Sequence, residues 1–185
     1  MLKLSDVRVK LSFQIHETSL VFHVLDLLSY NIDYDVFLPS KGKNLQRAFC
    51  WNLEQKSEFI LSVMKGIKIP NISIIQKSTY NSKSERETTL QIIDGKQRLS
   101  TLLGFMQNEF PMKYNGVEYY YNDLEKAAQW EINHGMPHVN LAYEYKYNDN
   151  AENVIISDDE KIAWFEMINF AGTPQDIEHL NNLKK

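Results

Sequence analysis

Apolar positions along the chain follow two periods. Where they alternate every second residue they predict strands, and where they recur every third or fourth they predict helices. Residues 7–15, Val7-Arg8-Val9-Lys10-Leu11-Ser12-Phe13-Gln14-Ile15, alternate and predict a half-buried strand with Arg8 and Lys10 on its polar face. A helix over about 19–30 follows, capped by Thr18 or Ser19, with Leu20, Val24, Leu27 and Leu28 as its apolar stripe. Residues 34–38 read as a short strand before Pro39. Asn52 caps a helix over about 53–65 whose core face is Phe59, Ile60, Val63 and Met64, and Gly66 ends it. A strand is expected at 71–77 and another at 89–93. The polar stretch between them, 78–88, reads as a flexible connection without core residues. The chain then turns at Asp94-Gly95 and enters a helix with Leu99, Leu102, Leu103 and Met106 on one face.

Further along, Asn115-Gly116 marks a hairpin within 110–121. A short helix is expected at 122–130, with strands at 138–147 and 152–156. A helix starting at Ser157 or Asp158 runs to about Phe170, and Thr173 with Pro174 opens a last one. No repeat, low-complexity segment or linker interrupts the series. The expected fold class is α+β: a small mixed sheet with flanking helices and a helical C-terminal end, as a single domain over residues 1–185.

Composition narrows the function classes. The chain is 43% hydrophobic and carries ten Tyr, nine Phe and three Trp, which excludes a disordered composition. A net charge of −4 gives no global field for avid, nonspecific DNA binding, although a local basic face can still exist. Cys50 is the single cysteine, so no intramolecular disulfide can form, and it reads as a buried small hydrophobe. No apolar run reaches the roughly 20 residues that span a bilayer. The first ten residues lack a signal-peptide core, so a cytoplasmic setting without a membrane is expected. His16 and His23 have no carboxylates or cysteines at metal-ligand spacing. Asp158, Asp159 and Glu160 crowd a helix start, where negative charge is favourable.

The chemistry concentrates where strand 89–93 becomes a helix. Asp94, Gly95, Lys96, Gln97 and Arg98 sit at a helix start, whose unpaired N–H groups and positive dipole end suit an anion such as phosphate. Arg98 can hold a phosphate or carboxylate through two parallel hydrogen bonds. Asp94 can cap the helix, orient Arg98, bind a metal or act as a base. Upstream, Gln46-Arg47 precedes Phe49 and Trp51, which read as core anchors. Arg47, a charge among aromatics, needs a phosphate, a protein carboxylate or solvent as partner.

Three separated motifs stand in order. They are Gln46-Arg47-x-Phe49-x-Trp51, then Gly66-Ile67-Lys68-Ile69-Pro70, then Ile93-Asp94-Gly95-Lys96-Gln97-Arg98-Leu99-Ser100-Thr101-Leu102. Together they resemble the GmrSD-type restriction domain family, marked by an Asp-Gly-Gln-Gln-Arg motif and a fold similar to the ParB/sulfiredoxin superfamily. The likeness covers about residues 30–110 and resumes at Asp158–Leu180 as a helix–loop–helix. It implies nucleoside triphosphate binding and hydrolysis, Mg²⁺ as cofactor, and a place in defence against foreign or modified DNA. DNA itself or a separate nuclease subunit is the implied macromolecular partner. Asp94, Gln97 and Arg98 fall on the implied catalytic positions, with Asp94 as the metal ligand. Gln46, Arg47, Gly95, Lys96 and Arg98 fall on the implied nucleotide-binding positions. Lys96 departs from the family, which usually has Gln there. Lys can still contact phosphate, but a water-positioning amide is lost. The alternative is a non-catalytic, DNA-associated or partner-binding module of the same fold. No His-Asn-His nuclease pattern occurs, so nuclease activity by this chain alone is not expected.

Overall fold

The computed structural model describes residues 11–18, 30–80, 85–134, 138–146 and 153–170. Its centre is a five-stranded mixed sheet of β1 (His16–Thr18), β2 (Asn31–Asp33), β5 (Ile72–Tyr80), β6 (Arg86–Asp94) and β9 (Val139–Lys146). Their order across the sheet is β1-β9-β5-β6-β2. β5 and β6 are antiparallel neighbours, while β2 lies parallel to β6 and β9 parallel to β5. Short pairs β3 (Phe37–Leu38) with β4 (Lys43–Asn44), and β7 (Met112–Tyr114) with β8 (Val117–Tyr119), stand apart from it. The helices are α1 (Leu53–Met64), α2 (Lys96–Met106), α3 (Lys126–His134) and α4 (Asp158–Phe170). This is an α+β fold.

Alternation along the central strands sends side chains to two separate cores. Ile72 and Ile74 of β5, Leu90 and Ile92 of β6, and Val139 and Leu141 of β9 meet Ile60 and Val63 of α1, Leu99, Leu102 and Phe105 of α2, and Ile132 of α3. On the other face Ile75, Ile93 and Ala142 meet Val36, Leu38 and Leu45, with Ile162, Trp164 and Phe165 of α4. β6 is therefore covered on both faces at its end, where Leu90, Ile92 and Ile93 are buried and the buried Gln91 between them donates to Asp33 Oδ2 at 3.1 Å. Each fully buried Ile or Leu contributes about 1.5–3 kcal/mol relative to exposure.

The helix starts are fixed by named side chains. Asn52 and Gln55 form a reciprocal capping box at α1, with Gln55 N–H donating to Asn52 Oδ1 at 2.9 Å and Asn52 N–H to Gln55 Oε1 at 3.0 Å. Ser157 and Glu160 do the same at α4, at 3.3 and 3.0 Å. Asp158 accepts from Ser40 N–H at 2.8 Å and Asp159 pairs with Lys41 at 3.2 Å, so both engage the β3–β4 region. The hairpin at Asn115-Gly116 takes positive φ at both residues, 51° and 81°, as a two-residue turn of this kind requires.

Several expected elements differ. The 78–88 stretch is not a plain connection, because β5 runs to Tyr80 and β6 begins at Arg86, pairing as far as Tyr80 with Arg86. A ladder needs only backbone partners, so polar residues extend it beyond the core as a ribbon that β9 also joins, pairing with β5 as far as Lys146 opposite Thr79. Leu11–Ile15 are not strand; the first strand is His16–Thr18, and residues 7–10 lie outside the described ones. The strand expected at 34–38 is confined to Phe37–Leu38, because Asp33 Oδ1 accepts from the N–H groups of Asp35 and Val36 and bends the chain there, with Val36 at φ 43°. In place of a strand at 152–156 there is a single bridge, Val154 to Tyr145. The helix at 122–130 is displaced to Lys126–His134, after a 3₁₀ turn at Tyr121–Asp123. The helices expected at 19–30 and after Thr173 fall on residues outside the described ones, apart from Tyr30, which is in no helix.

Candidate functional site

The site forms where β6 ends and α2 begins. The register of β5 against β6 shifts between Ser73, opposite Asp94, and Ile74, opposite Ile92. That irregularity leaves Ile93 over, and such bulges re-aim the side chains beside them. Gly95 follows as the N-cap of α2 at φ 99°, with no side-chain cap. A Cβ there would stand 2.9 Å from Ile72 Cγ1, so both its conformation and its surroundings require glycine. Asp94 is thus not the cap. Its Oδ2 instead accepts from Arg98 Nη2 at 2.6 Å, one helical turn on. Arg98 Nη1 donates to the carbonyls of Pro70 and Asn71, so the guanidinium also ties α2 to the start of β5.

Lys96 is buried at 7% exposure, and its ammonium pairs with Asp35. The bend at Asp33 aims Asp35 at it. Gln97 reaches the other way. Its Oε1 accepts from the backbone N–H of Cys50 at 3.0 Å and of Trp51 at 3.3 Å, and its Nε2 donates to the carbonyl of Ala48 at 3.3 Å. Gln46 Nε2 donates back to the carbonyl of Ile92. Two glutamines therefore fasten the segment 46–51 against the β6–α2 junction.

One cavity of about 140 Å³ is lined by Gln46, Arg47, Trp51, Asp94, Gly95, Lys96, Gln97, Arg98 and Phe165. Every residue expected at the site lies on this lining, and Arg47 and Arg98 share it. Arg47 differs from the other cations there. Arg98 has Asp94 and Lys96 has Asp35, whereas Arg47 is exposed and has no carboxylate partner among the described residues. The first N–H groups of α2 face the same place without a side-chain cap. The arrangement suits an anionic group of phosphate size. Asp94 Oδ1 has no partner among the described residues, while no group of three or more His, Cys, Asp or Glu gathers there. A larger cleft of about 540 Å³, between α1 and the β7–β8 hairpin, is lined by Glu54, Glu58 and Glu118 with Lys113. Its carboxylates repel anions, so size does not identify the phosphate site.

Two side chains were misplaced by the sequence reading. Cys50 is exposed, not buried, because its backbone is what Gln97 holds and its thiol faces outward. Phe49 is 36% exposed rather than a core anchor, while Trp51 is half-buried against Phe59 at 5.2 Å between ring centroids. Asp35 and the Pro70–Asn71 carbonyls were not singled out, and Phe165 was read only as part of the C-terminal helix. Asp35 left no signal, since it stands 61 residues from Lys96 in the chain.

A family model described as the GmrSD restriction endonuclease, N-terminal domain, matches residues 24–183. No curated protein and no solved structure matches the chain. No helix among the described residues is long and apolar enough to cross a membrane.

Proposed function

We infer that this chain, which belongs to the GmrSD restriction endonuclease N-terminal domain family and so has its role in restriction systems, binds a nucleoside triphosphate at the β6–α2 junction and hydrolyses it. The observation that carries this reading is Arg47, a guanidinium without a carboxylate partner among the described residues, opening onto the uncapped start of α2 in one small cavity. The cavity holds phosphate but is smaller than the roughly 300–1,000 Å³ of whole-ligand sites, so the nucleoside lies outside it.

In this reading Arg47 binds the terminal phosphates, the N–H groups after Gly95 cradle one of them, and Arg98 holds Asp94 in place. The donor set fits Mg²⁺, which takes one or two carboxylate oxygens and completes its shell with phosphates and water. Asp94 Oδ1 is the oxygen that would hold it, and the ion would neutralise charge on the phosphate oxygens. Water attacks the terminal phosphorus, the bridging P–O bond breaks, and nucleoside diphosphate, inorganic phosphate and a proton leave. Catalysis of this type rests on positioning and charge neutralisation. The fold proposed with this reading is ParB/sulfiredoxin-like, as the family resemblance implies. DNA or a separate nuclease subunit is the proposed macromolecular partner.

A second reading has its own observation. The Gln97 amide is taken up by Ala48, Cys50 and Trp51, and Lys96 by Asp35, so neither is poised toward a water. That favours a binding module without turnover. The test is binding and phosphate release with Mg²⁺, for the wild type and Arg47→Ala. Binding and release both lowered at least about tenfold by the substitution support the enzymatic reading. Binding without release supports the module, and no binding of any triphosphate removes both.

A further inference from the structure

A second chamber of about 300 Å³ adjoins the phosphate cavity at Lys96, which lines both. Its other walls are Tyr34, Asp35, Phe49, Lys56, Ser100 and Glu109. The two volumes together reach the range of a nucleotide site. Three features of this chamber bear on what it can hold. Phe49 keeps 36% of its surface exposed. The Lys56 ammonium stands 4.8 Å from the centroid of that ring and 4.9 Å from that of Phe110, with no carboxylate partner among the described residues. The Glu109 carboxylate likewise has no hydrogen-bond or ion-pair partner among them, yet its Oε2 is packed so near the backbone of Gly104 that a Cβ there would lie 2.6 Å away. Two opposite charges open on one chamber and neither is spent on the other.

We propose that this chamber is the nucleoside subsite and that it takes guanine. The inference rests on the phosphate reading of the neighbouring cavity. A base needs a ring to stack on and edge partners of the right sign. Phe49 supplies the ring. Lys56 is a donor only and Glu109 an acceptor only. Guanine presents a carbonyl acceptor followed by two N–H donors along one edge, so its O6 meets Lys56 and its N1–H and N2–H meet the two Glu109 oxygens. Uracil offers the carbonyl and one N–H. Adenine and cytosine offer one amino donor beside a ring-nitrogen acceptor, so each can meet Lys56 and one Glu109 oxygen but leaves the second Glu109 oxygen without a donor. The Tyr34 hydroxyl, pushed up to about 12 by burial and by the nearby Glu109 charge, stays protonated and can serve the sugar.

The experiment is equilibrium binding, with Mg²⁺, of the non-hydrolysable β,γ-imido analogues of GTP and ATP and of inorganic triphosphate. It uses the wild type, Phe49→Ala and Glu109→Gln. The expected result is a GTP analogue bound at least about tenfold more tightly than either of the others. Glu109→Gln then removes the guanine preference, Phe49→Ala weakens both analogues, and inorganic triphosphate binds each variant as it binds the wild type. Equal binding of all three ligands, or preference for the ATP analogue, overturns the guanine subsite and leaves the phosphate cavity standing. Failure of inorganic triphosphate and both analogues to bind overturns the phosphate reading and the subsite with it.

Discussion

Gln97 Oε1 accepts a hydrogen bond from the backbone N–H of Cys50 at 3.0 Å, joining residues 47 positions apart in the chain. This contact makes Gln97 the holder of the loop that carries Arg47, whatever else it does. Gln97→Ala is expected to cost about 1–3 kcal/mol, since it strips partners from backbone groups at the site. Amide hydrogen exchange at Cys50 and Trp51 separates this from a general loss of stability. Both amides exchange faster in Gln97→Ala than in the wild type. They stay protected in Gln97→Glu, which keeps the acceptor oxygen and loses only the donor to Ala48. Equal protection in all three proteins removes the role.

Lys96→Gln restores the residue usual in the family and tests what the lysine does here. Its partner Asp35 is 62% exposed in its side chain, so the ion pair is worth only about 0–1 kcal/mol. The variant is expected to melt close to the wild type. A loss of several kcal/mol in a denaturant titration contradicts this assessment of the pair.

Gly95→Ala is expected to be harsher than a helix-cap change normally is. A left-handed conformation costs a residue with a side chain about 1–2 kcal/mol. Here the added methyl also meets the branched, buried side chain of Ile72. The sum, about 2–4 kcal/mol, reads out as a lowered melting temperature. Gly104→Ala is the contrast. Its new methyl crowds the movable end of Glu109 and otherwise meets Phe110 Cε1 at an ordinary 3.6 Å, and alanine favours a helix by about 1 kcal/mol.

Glu160 sets a pH dependence at the far end of the second core. Burial pushes its carboxyl up, but hydrogen bonds from Ser12 and Ser157 outweigh that and bring it down to about 2. A carboxyl lower in the folded chain than in the unfolded one stabilises above the unfolded value, 4.5, and the contribution fades as pH falls toward 2. Ser12 N–H donates to Glu160 Oε1 at 2.9 Å, and Phe13 next to it packs on Trp164 at 5.5 Å between centroids. Tryptophan fluorescence is expected to change between about pH 4.5 and 2, and this component is expected to be absent in Glu160→Gln. An identical acid transition in both proteins counts against the link.

What the sequence made legible was local. The capping box at Asn52, the Asn115-Gly116 turn and the apolar stripe Leu99–Met106 each depend on residues a few positions apart, and each stands where expected. The mixed sheet with helices on its flanks followed from the order of those elements. The 78–88 ribbon was not legible, because its strands are held by backbone pairing that leaves no apolar pattern. Nor was the outward thiol of Cys50, since its neighbours in space come from α2. At the site, the family resemblance implied that Gln46 and Arg47 lie beside Asp94 to Arg98, and these residues share one lining. The division of labour among them, with Arg98 and Lys96 paired and Arg47 without a carboxylate partner among the described residues, depends on Asp94 and Asp35 and emerged only in three dimensions.

The two glutamine contacts are reciprocal. Gln46 gives its amide to a carbonyl of the second segment, at Ile92, and Gln97 gives its own to a carbonyl of the first, at Ala48. Both bonds end on backbone, so they are indifferent to the side chains at 48 and 92 but not to the length of chain between each glutamine and its target. Substitutions inside either segment are therefore tolerable where a one-residue insertion or deletion is not. Transplanting one segment alone into another protein breaks both links at once, and the pair can be moved only as a matched set.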